Sequence, residues 1–368
     1  MPRERNSRIE ILRIVACLLI TFNHIYNKGV PKATIDAGYS TLNAALCILF
    51  LQGGKYGCNV FLIISAWFLV DKAVNYRAAA KIWIQTVFYT LALDIVCALI
   101  FHVKLGRKDL LAVVFPMTMG TYWYCRAHVV MLLLGPLAKR LFNRLERGQA
   151  ALLLCGGLLF SVLPTVTLEG SLLQGLPHRA LIFDILTYPP LWFLYVYLLI
   201  DYVKNRSPKL RDGGIRRLGV RAPAAGAILL YLCMFAGTLA LFRGIQGGSL
   251  PKYFHSGTLR ALNSAPCFAS AFLLFVAALN MRPFENRRIN RIAAYAFGVY
   301  LFQCHKSFQK ILWPRLLAFR KYFHASTPVF ALYCAFGVAV ICLMGAAFEW
   351  LYKQAYRPIS KAIPFLRG

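Results

Sequence analysis

About ten long apolar segments, separated by short basic ones, constrain this chain more than any other feature of its sequence. The apolar segments cover residues 9–27, 56–71, 80–102, 122–139, 149–164, 186–204, 223–243, 261–281, 291–312 and 328–354. Several approach the length of about 20 residues that a helix needs to cross a bilayer. Only 15% of the residues are charged, against about a quarter in soluble domains. The sequence therefore predicts an all-α integral membrane protein, a single bundle of about ten transmembrane helices.

The predicted organisation is one domain over residues 1–368, with spans from about 9 to 354 and a basic cytoplasmic tail over 355–368. The apolar run 44–51 is too short to cross alone. It is either an interfacial piece or an extension of the second span, broken at Gly53-Gly54-Lys55. No small-residue cleavage site follows the apolar run 11–20, so we expect the first span to be retained.

The net charge of +29 raises the question of nucleic-acid binding. The cations lie in short segments between apolar runs, not in one patch or arm, which argues against nucleic acid. Most of them fall in alternate segments: residues 3–8, 72–81, 139–147, 204–221, 282–291 and 353–367. By the positive-inside rule these segments are cytoplasmic, together with both termini, and contact anionic membrane lipids. The other loops, which are predicted to lie on the outer side, carry more Lys and Arg than the positive-inside rule expects.

The eleven cysteines are scattered, and nearly all of them lie within apolar runs. No CxxC pair occurs. This pattern is typical of small packing residues in helices and supports neither a disulfide framework nor a metal site.

Arg13 and His24 are the polar pair with the clearest geometry. Their eleven-residue separation places them within roughly 20° of one helix face and about 16 Å apart. One face then carries a permanent cation near the cytoplasmic end and a titratable base deeper in the membrane. This arrangement favours a ligand with an anionic end and a reactive end. In the alternative interpretation, Arg13 reaches the interface and His24 bonds a neighbouring backbone.

Other polar groups within the spans are weaker candidates. Asn59 and Ser65 lie in the second span, where a serine usually bonds back to its own helix. Asp94 and Glu349 are acids within apolar runs, and ion pairing explains them as well as catalysis does.

The start of the fourth span is rich in polar and aromatic residues. Trp123 and Tyr124 fit an interfacial aromatic belt, whereas Arg126 and His128 are harder to explain without a function.

The arginine, ten residues and histidine from Arg13 to His24 resemble the signature of the acyltransferase-3 family of membrane acyltransferases. Three further segments are similar to that family: 57–70 (G-x-x-x-F-x-x-I-S-G, with Ala66 for the last glycine), 123–136 (W-F … P) and 297–305 (F-G-[IV]-Y-L-[IF]-H). In the last segment the family histidine aligns with Gln303. His305 follows two residues later and, in a continuous helix, would face nearly the opposite way. Gln303 then either keeps a hydrogen-bonding role or occupies a dispensable position.

The resemblance implies transfer of an acetyl group from acetyl-CoA, a co-substrate and not a bound cofactor, to a hydroxyl of a surface glycan or its lipid-linked precursor. It places the enzyme in the cell membrane, beside polysaccharide-assembly proteins. Arg13 would contact the coenzyme phosphates, and His24 would act as base or in acyl relay. The implied substrate contacts are Trp123, Tyr124, Arg126, His128, Asn59, Ser65, Tyr300 and Gln303, with Trp123, Tyr124 and His128 on the glycan side.

Two other functions fit the same composition. A transporter or flippase for a glycan or lipid would also have many spans with interior charges, although no matching halves with broken segments are visible. A structural membrane partner of a polysaccharide synthase is the third possibility.

Overall fold

The computed structural model describes residues 6–119, 122–167, 188–250 and 258–366, and helix is the regular structure throughout that part of the chain. The prediction of an all-α protein is confirmed there. In chain order the helices are α1 (Ser7–His24), α2 (Lys32–Ala37), α3 (Leu42–Leu69), α4 (Tyr76–Phe101), α5 (Arg107–Val114), α6 (Trp123–Phe142), α7 (Arg147–Thr167), α8 (Pro189–Asp201), α9 (Arg221–Gln246), α10 (Ala265–Asn280), α11 (Arg287–Ala293), α12 (Ala296–Cys304), α13 (Lys306–Ile311) and α14 (Thr327–Ala362).

Five helices are long and apolar enough to cross a membrane: α1 with the π-turn that continues it to Gly29, α3, α4, α9 and α14. The apolar stretches Arg147–Leu159 and Ala265–Asn280 are shorter. The predicted count of about ten spans is therefore not confirmed for the described residues.

Two of the predicted spans differ from single membrane-crossing helices for clear physical reasons. The α-helical part of the span 186–204 is α8, whose 13 residues correspond to about 20 Å, and the π-turn Tyr202–Arg206 that continues it carries the charges of Lys204 and Arg206. The predicted span 291–312 is divided among α11, α12 and α13, since the helix ends at Cys304 and His305 has an extended backbone.

The predicted break at Gly53-Gly54-Lys55 is wrong, because α3 runs without interruption from Leu42 to Leu69. The run 44–51 is thus an extension of the second span. The glycines allow α1 to approach: a Cβ on Gly53 would lie 2.7 Å from the Leu19 carbonyl oxygen, and one on Gly57 would lie 2.7 Å from that of Ala16. The two helices are therefore antiparallel and packed backbone to backbone, as small residues allow in membranes.

Replacing Gly57 with alanine is expected to destabilise the protein by about 1–3 kcal/mol, because the new methyl group meets a backbone carbonyl that cannot move alone. The measurement is the thermal unfolding midpoint of the detergent-solubilised protein. Gly156→Ala in α7 is the control, since a Cβ there meets nothing within 4 Å. Equal midpoints for Gly57→Ala and the unmodified protein would contradict this packing.

Within the predicted tail over 355–368, α14 continues to Ala362. A short 3-10 turn follows at Pro364–Leu366, where the Phe365 carbonyl accepts a hydrogen bond of 2.7 Å from Arg77 Nε. Parts of the predicted spans and basic segments lie outside the described residues, namely 3–5, 186–187 and 367.

Candidate active site

His24 lies at the end of α1, and its ring is held by a chain of hydrogen bonds. The Thr21 hydroxyl donates to the Cys17 carbonyl at 2.9 Å, so its oxygen accepts from Gln303 Nε2 at 3.0 Å. The Gln303 amide oxygen then faces His24 Nδ1 at 2.9 Å. Because an amide oxygen can only accept, the neutral form of His24 carries its proton on Nδ1 and has a lone pair on Nε2. An orienting acceptor and an unprotonated outer nitrogen are what a general base requires.

The free nitrogen of His24 faces a cavity of about 460 Å³ at this end of the bundle. Nε2 lies 3.9 Å from the Cys304 sulfur, which lines the same cavity. The Trp313 indole packs edge-on to the imidazole with the ring centres 5.9 Å apart. We call this space, which Trp123 and Tyr300 also line, the His24 cavity.

Arg13 lines a second cavity of about 280 Å³, here called the Arg13 cavity, toward the N-terminal end of α1. Its Nη1 donates to Glu10 Oε1 at 2.6 Å, one helical turn earlier. Glu10 is buried, whereas the Arg13 side chain is about one third exposed. The guanidinium therefore has a carboxylate partner, which the sequence analysis did not identify, and keeps further donors toward the cavity.

A narrow space of about 30 Å³ lies between the two cavities and shares lining residues with both. Ile20, Cys58 and Tyr300 also line the His24 cavity. Phe61, Tyr124 and Phe297 also line the Arg13 cavity. We call this space the neck. Arg13 and His24 thus line the two ends of this row of three spaces along α1, which we call the passage.

The structure divides the predicted substrate-contact residues between the two ends. Trp123 and Tyr300 line the His24 cavity. Ser65, Tyr124 and His128 line the Arg13 cavity, so Tyr124 and His128 line a different cavity from Trp123, with which they were predicted to share the glycan side. The spacing on α6 explains the separation, because His128 lies five residues or about 7.5 Å beyond Trp123, and Tyr124 is rotated from Trp123 by about 100°.

Asn59 and Arg126 line neither cavity. The Asn59 amide is buried and bridges other helices: its Nδ2 donates to the Leu262 carbonyl at 2.7 Å, and its oxygen accepts from Trp192 Nε1 at 3.1 Å. The Arg126 guanidinium lies 5.6 Å from the centre of the Tyr188 ring. Both residues have these structural contacts, and their role as substrate contacts stays a prediction.

His305 contacts different residues from Gln303. The cause is a break in the helix and not the expected rotation by two residues along a continuous helix. The predicted continuous helix is broken here, and the His305 ring accepts the Phe308 backbone N–H as a cap for α13. Its Nε2 lies 3.5 Å from Asp94 Oδ1. The other buried acid, Glu349, accepts from Gln85 at 2.7 Å and Tyr89 at 3.0 Å. Both acids are thus partnered outside the passage.

The sequence did not point to several residues that line the two cavities or belong to the hydrogen-bond chain of His24: Glu10, Thr21, Lys28, Lys55, Arg260, Cys304 and Lys306. One signal for Lys28, Lys55 and Arg260 was present, since the loops on the side predicted to be outer carry more cations than the positive-inside rule expects. Cys304 and Thr21 gave no such signal, because a cysteine or threonine in an apolar run is ordinary.

A multi-pass helical membrane protein with an oriented histidine in a passage between two cavities fits the class of membrane acyltransferases. The acyltransferase-3 family model, described as an acyltransferase domain, matches residues 6–347. The chain belongs to that family, and the resemblance noted in the sequence is confirmed. No curated protein and no solved structure gives a significant match.

Proposed function

We propose that this membrane acyltransferase moves an acetyl group from acetyl-CoA to a hydroxyl of a surface glycan or of its lipid-linked precursor. It acts in the cell membrane with both termini in the cytoplasm, so the Arg13 cavity opens toward the donor and the His24 cavity toward the acceptor. The observation that carries this proposal is the passage: two cavities with the neck between them, and the cation and the base at opposite ends.

The lining of the neck is mainly apolar, which suits the acyl arm of the donor better than its charged nucleotide end. The acyl-pantetheine arm of the coenzyme is a thin, flexible chain, whereas its nucleotide end is bulky and anionic. The nucleotide would stay on the Arg13 side. There Arg13 would donate hydrogen bonds to a phosphate and give up part of its ion pair with Glu10. The thioester would then reach the His24 end, about 16 Å along α1.

The reaction at His24 needs one proton transfer to the imidazole and one proton transfer from it. Nε2 takes the proton of the acceptor hydroxyl as its oxygen attacks the thioester carbonyl carbon. When the C–S bond breaks, the protonated imidazole returns that proton to the leaving coenzyme thiolate. The buried Tyr300 hydroxyl, which has no hydrogen-bond partner in the described part of the chain, can donate to the carbonyl oxygen as negative charge develops there.

Replacing Cys58 with phenylalanine is expected to lower acyl transfer at least tenfold, because the added ring fills the neck beside Tyr300. The measurement is transfer of labelled acetyl from acetyl-CoA to glycan in membrane vesicles. Cys233→Phe, at an exposed position of α9, is the control. Thermal unfolding of both variants checks that the larger side chain has not disrupted the fold. Full transfer by a folded Cys58→Phe variant would rule out the neck as the acyl route.

The test of the function itself compares the surface glycan of cells with and without the gene by mass spectrometry. Loss of acetyl esters from a glycan that is still exported supports the acetyltransferase. Loss of export with unchanged esters on the retained glycan would instead identify a transporter or flippase. Loss of a different ester, such as a succinyl ester, would support an acyltransferase that uses another acyl donor.

A further inference from the structure

The His24 cavity is lined by four cationic side chains and, among its described lining residues, by no aspartate or glutamate. The four are Lys28, Lys55, Arg260 and Lys306. Lys55 lies in the middle of the long apolar helix α3, where a cation is costly and usually functional. The proposed mechanism uses none of these charges, so they require a separate explanation.

Lys28 and Lys55 of this cavity have no carboxylate partner in the described part of the chain, unlike several other lysines of the protein. Lys32, Lys139 and Lys204 each lie within 2.8 Å of a carboxylate oxygen. In the described residues, no carboxylate lies within 4.0 Å of the Lys28 or Lys55 amino group. The Lys55 amino group instead lies 4.1 Å from the centre of the Trp123 ring.

Like charges that share a partly enclosed space repel one another, and an anion bound between them removes that repulsion. Lys306 also borders a small neighbouring cavity that contains Asp94 and Asp109, so its charge is partly balanced there. Lys28 and Lys55 have no such acids beside them in the described lining. These two lysines are therefore the strongest indication of an anionic ligand.

We infer that the acceptor bound in the His24 cavity is anionic: a saccharide with a carboxylate or phosphate group close to the hydroxyl that is acylated. Lys28 and Lys55 bind that group, and this places the hydroxyl beside His24, which lines the same cavity. The inference rests on the proposed function. It concerns the acceptor because the cavity is separated by the neck from the Arg13 end, where the coenzyme nucleotide is proposed to bind.

The test uses the full-length protein in nanodiscs of phosphatidylcholine, which supplies no net lipid charge. The probes are glucuronic acid, glucose 6-phosphate, glucose and acetyl-CoA, and dissociation constants are measured at low ionic strength. We expect at least one of the two anionic sugars to bind about tenfold or more tightly than glucose. The double variant Lys28→Gln/Lys55→Gln is expected to lose that preference. The control Lys310→Gln removes an exposed charge outside both cavities and should keep it.

The two anionic sugars distinguish a carboxylate acceptor from a phosphate acceptor, and tight binding of either supports the inference. Equal binding of glucose and both anionic sugars would overturn it, as would an unchanged preference in the double variant or an equal loss in Lys310→Gln. A loss of acetyl-CoA affinity in the double variant without a change for the sugars would also overturn it, because the lysines would then serve the donor.

Failure of the inference can be told apart from failure of the proposed function. Glycan acetylation in cells that carry His24→Ala tests the function and does not depend on the lysines. If acetylation is lost in that variant and the sugar preference does not depend on the lysines, the acetyltransferase function is supported and the anionic acceptor is rejected. Unchanged acetylation with a clear lysine-dependent preference removes the catalytic role of His24 and leaves an anion site.

Discussion

Acyl transfer is expected to fall by about a hundredfold to ten-thousandfold when His24 is replaced by alanine. The variant keeps the passage but loses the lone pair of Nε2, which is the proposed acceptor of the hydroxyl proton. The measurement is the rate of labelled acetyl transfer from acetyl-CoA to the glycan, normalised to the amount of folded protein in the membrane. The affinity for acetyl-CoA should change little, because the nucleotide is proposed to bind at the other end of the passage.

His324→Ala is the matched control, because that histidine is exposed and lines neither cavity. A second variant, His24→Gly, leaves space for free imidazole within a cavity of about 460 Å³. Partial recovery of transfer on addition of imidazole is expected if His24 acts as a base. Normal transfer by folded His24→Ala would exclude this role.

Replacing Gln303 with leucine is expected to lower the maximal rate of acyl transfer by about tenfold to a hundredfold, as is typical when the group that orients a functional histidine is removed. Leucine cannot accept a hydrogen bond from the Nδ1–H group of His24, so the ring loses both its fixed tautomer and its orientation. The Michaelis constant for the donor should stay nearly unchanged. Steady-state kinetics in proteoliposomes separates the two parameters.

Thr21→Val tests the same hydrogen-bond chain at its first member. Valine has nearly the shape of threonine but cannot accept from Gln303 Nε2, so the amide is no longer held with its oxygen toward His24. We expect a smaller loss of rate than in Gln303→Leu. Nitrogen chemical shifts of labelled histidine in solid-state NMR report the tautomer directly. A wild-type tautomer and rate in both variants would show that Gln303 does not orient the ring.

Much of the general architecture could be predicted from the sequence, because it depends on local patterns. The apolar runs predicted a helical membrane protein, and the described residues are helical. The positions of Arg13 and His24 on α1 follow from helical periodicity alone. The same family motif that links these two residues also indicated the family, which the match over residues 6–347 confirms.

Helix continuity was harder to predict, because a glycine in an apolar run marks either a helix break or a close contact between two helices. Gly53 and Gly54 indicated a break, yet they lie within an unbroken helix where another helix approaches closely. The segment around His305 has no glycine or proline and still contains a break. Propensity does not distinguish these cases, since packing against neighbouring helices decides them.

The sequence by itself determined that the chain is helical and membrane-bound and that one helix carries a cation and a base on one face. Only the tertiary structure decided what surrounds them. Gln303 meets His24 although the two are 279 residues apart in the chain, and His128 lies with Arg13, not with Trp123. Lys28 and Lys55 meet in one cavity for the same reason. A periodic pattern fixes which residues share a helix face, whereas contacts between helices depend on which faces pack together, and the pattern of one helix does not contain that information.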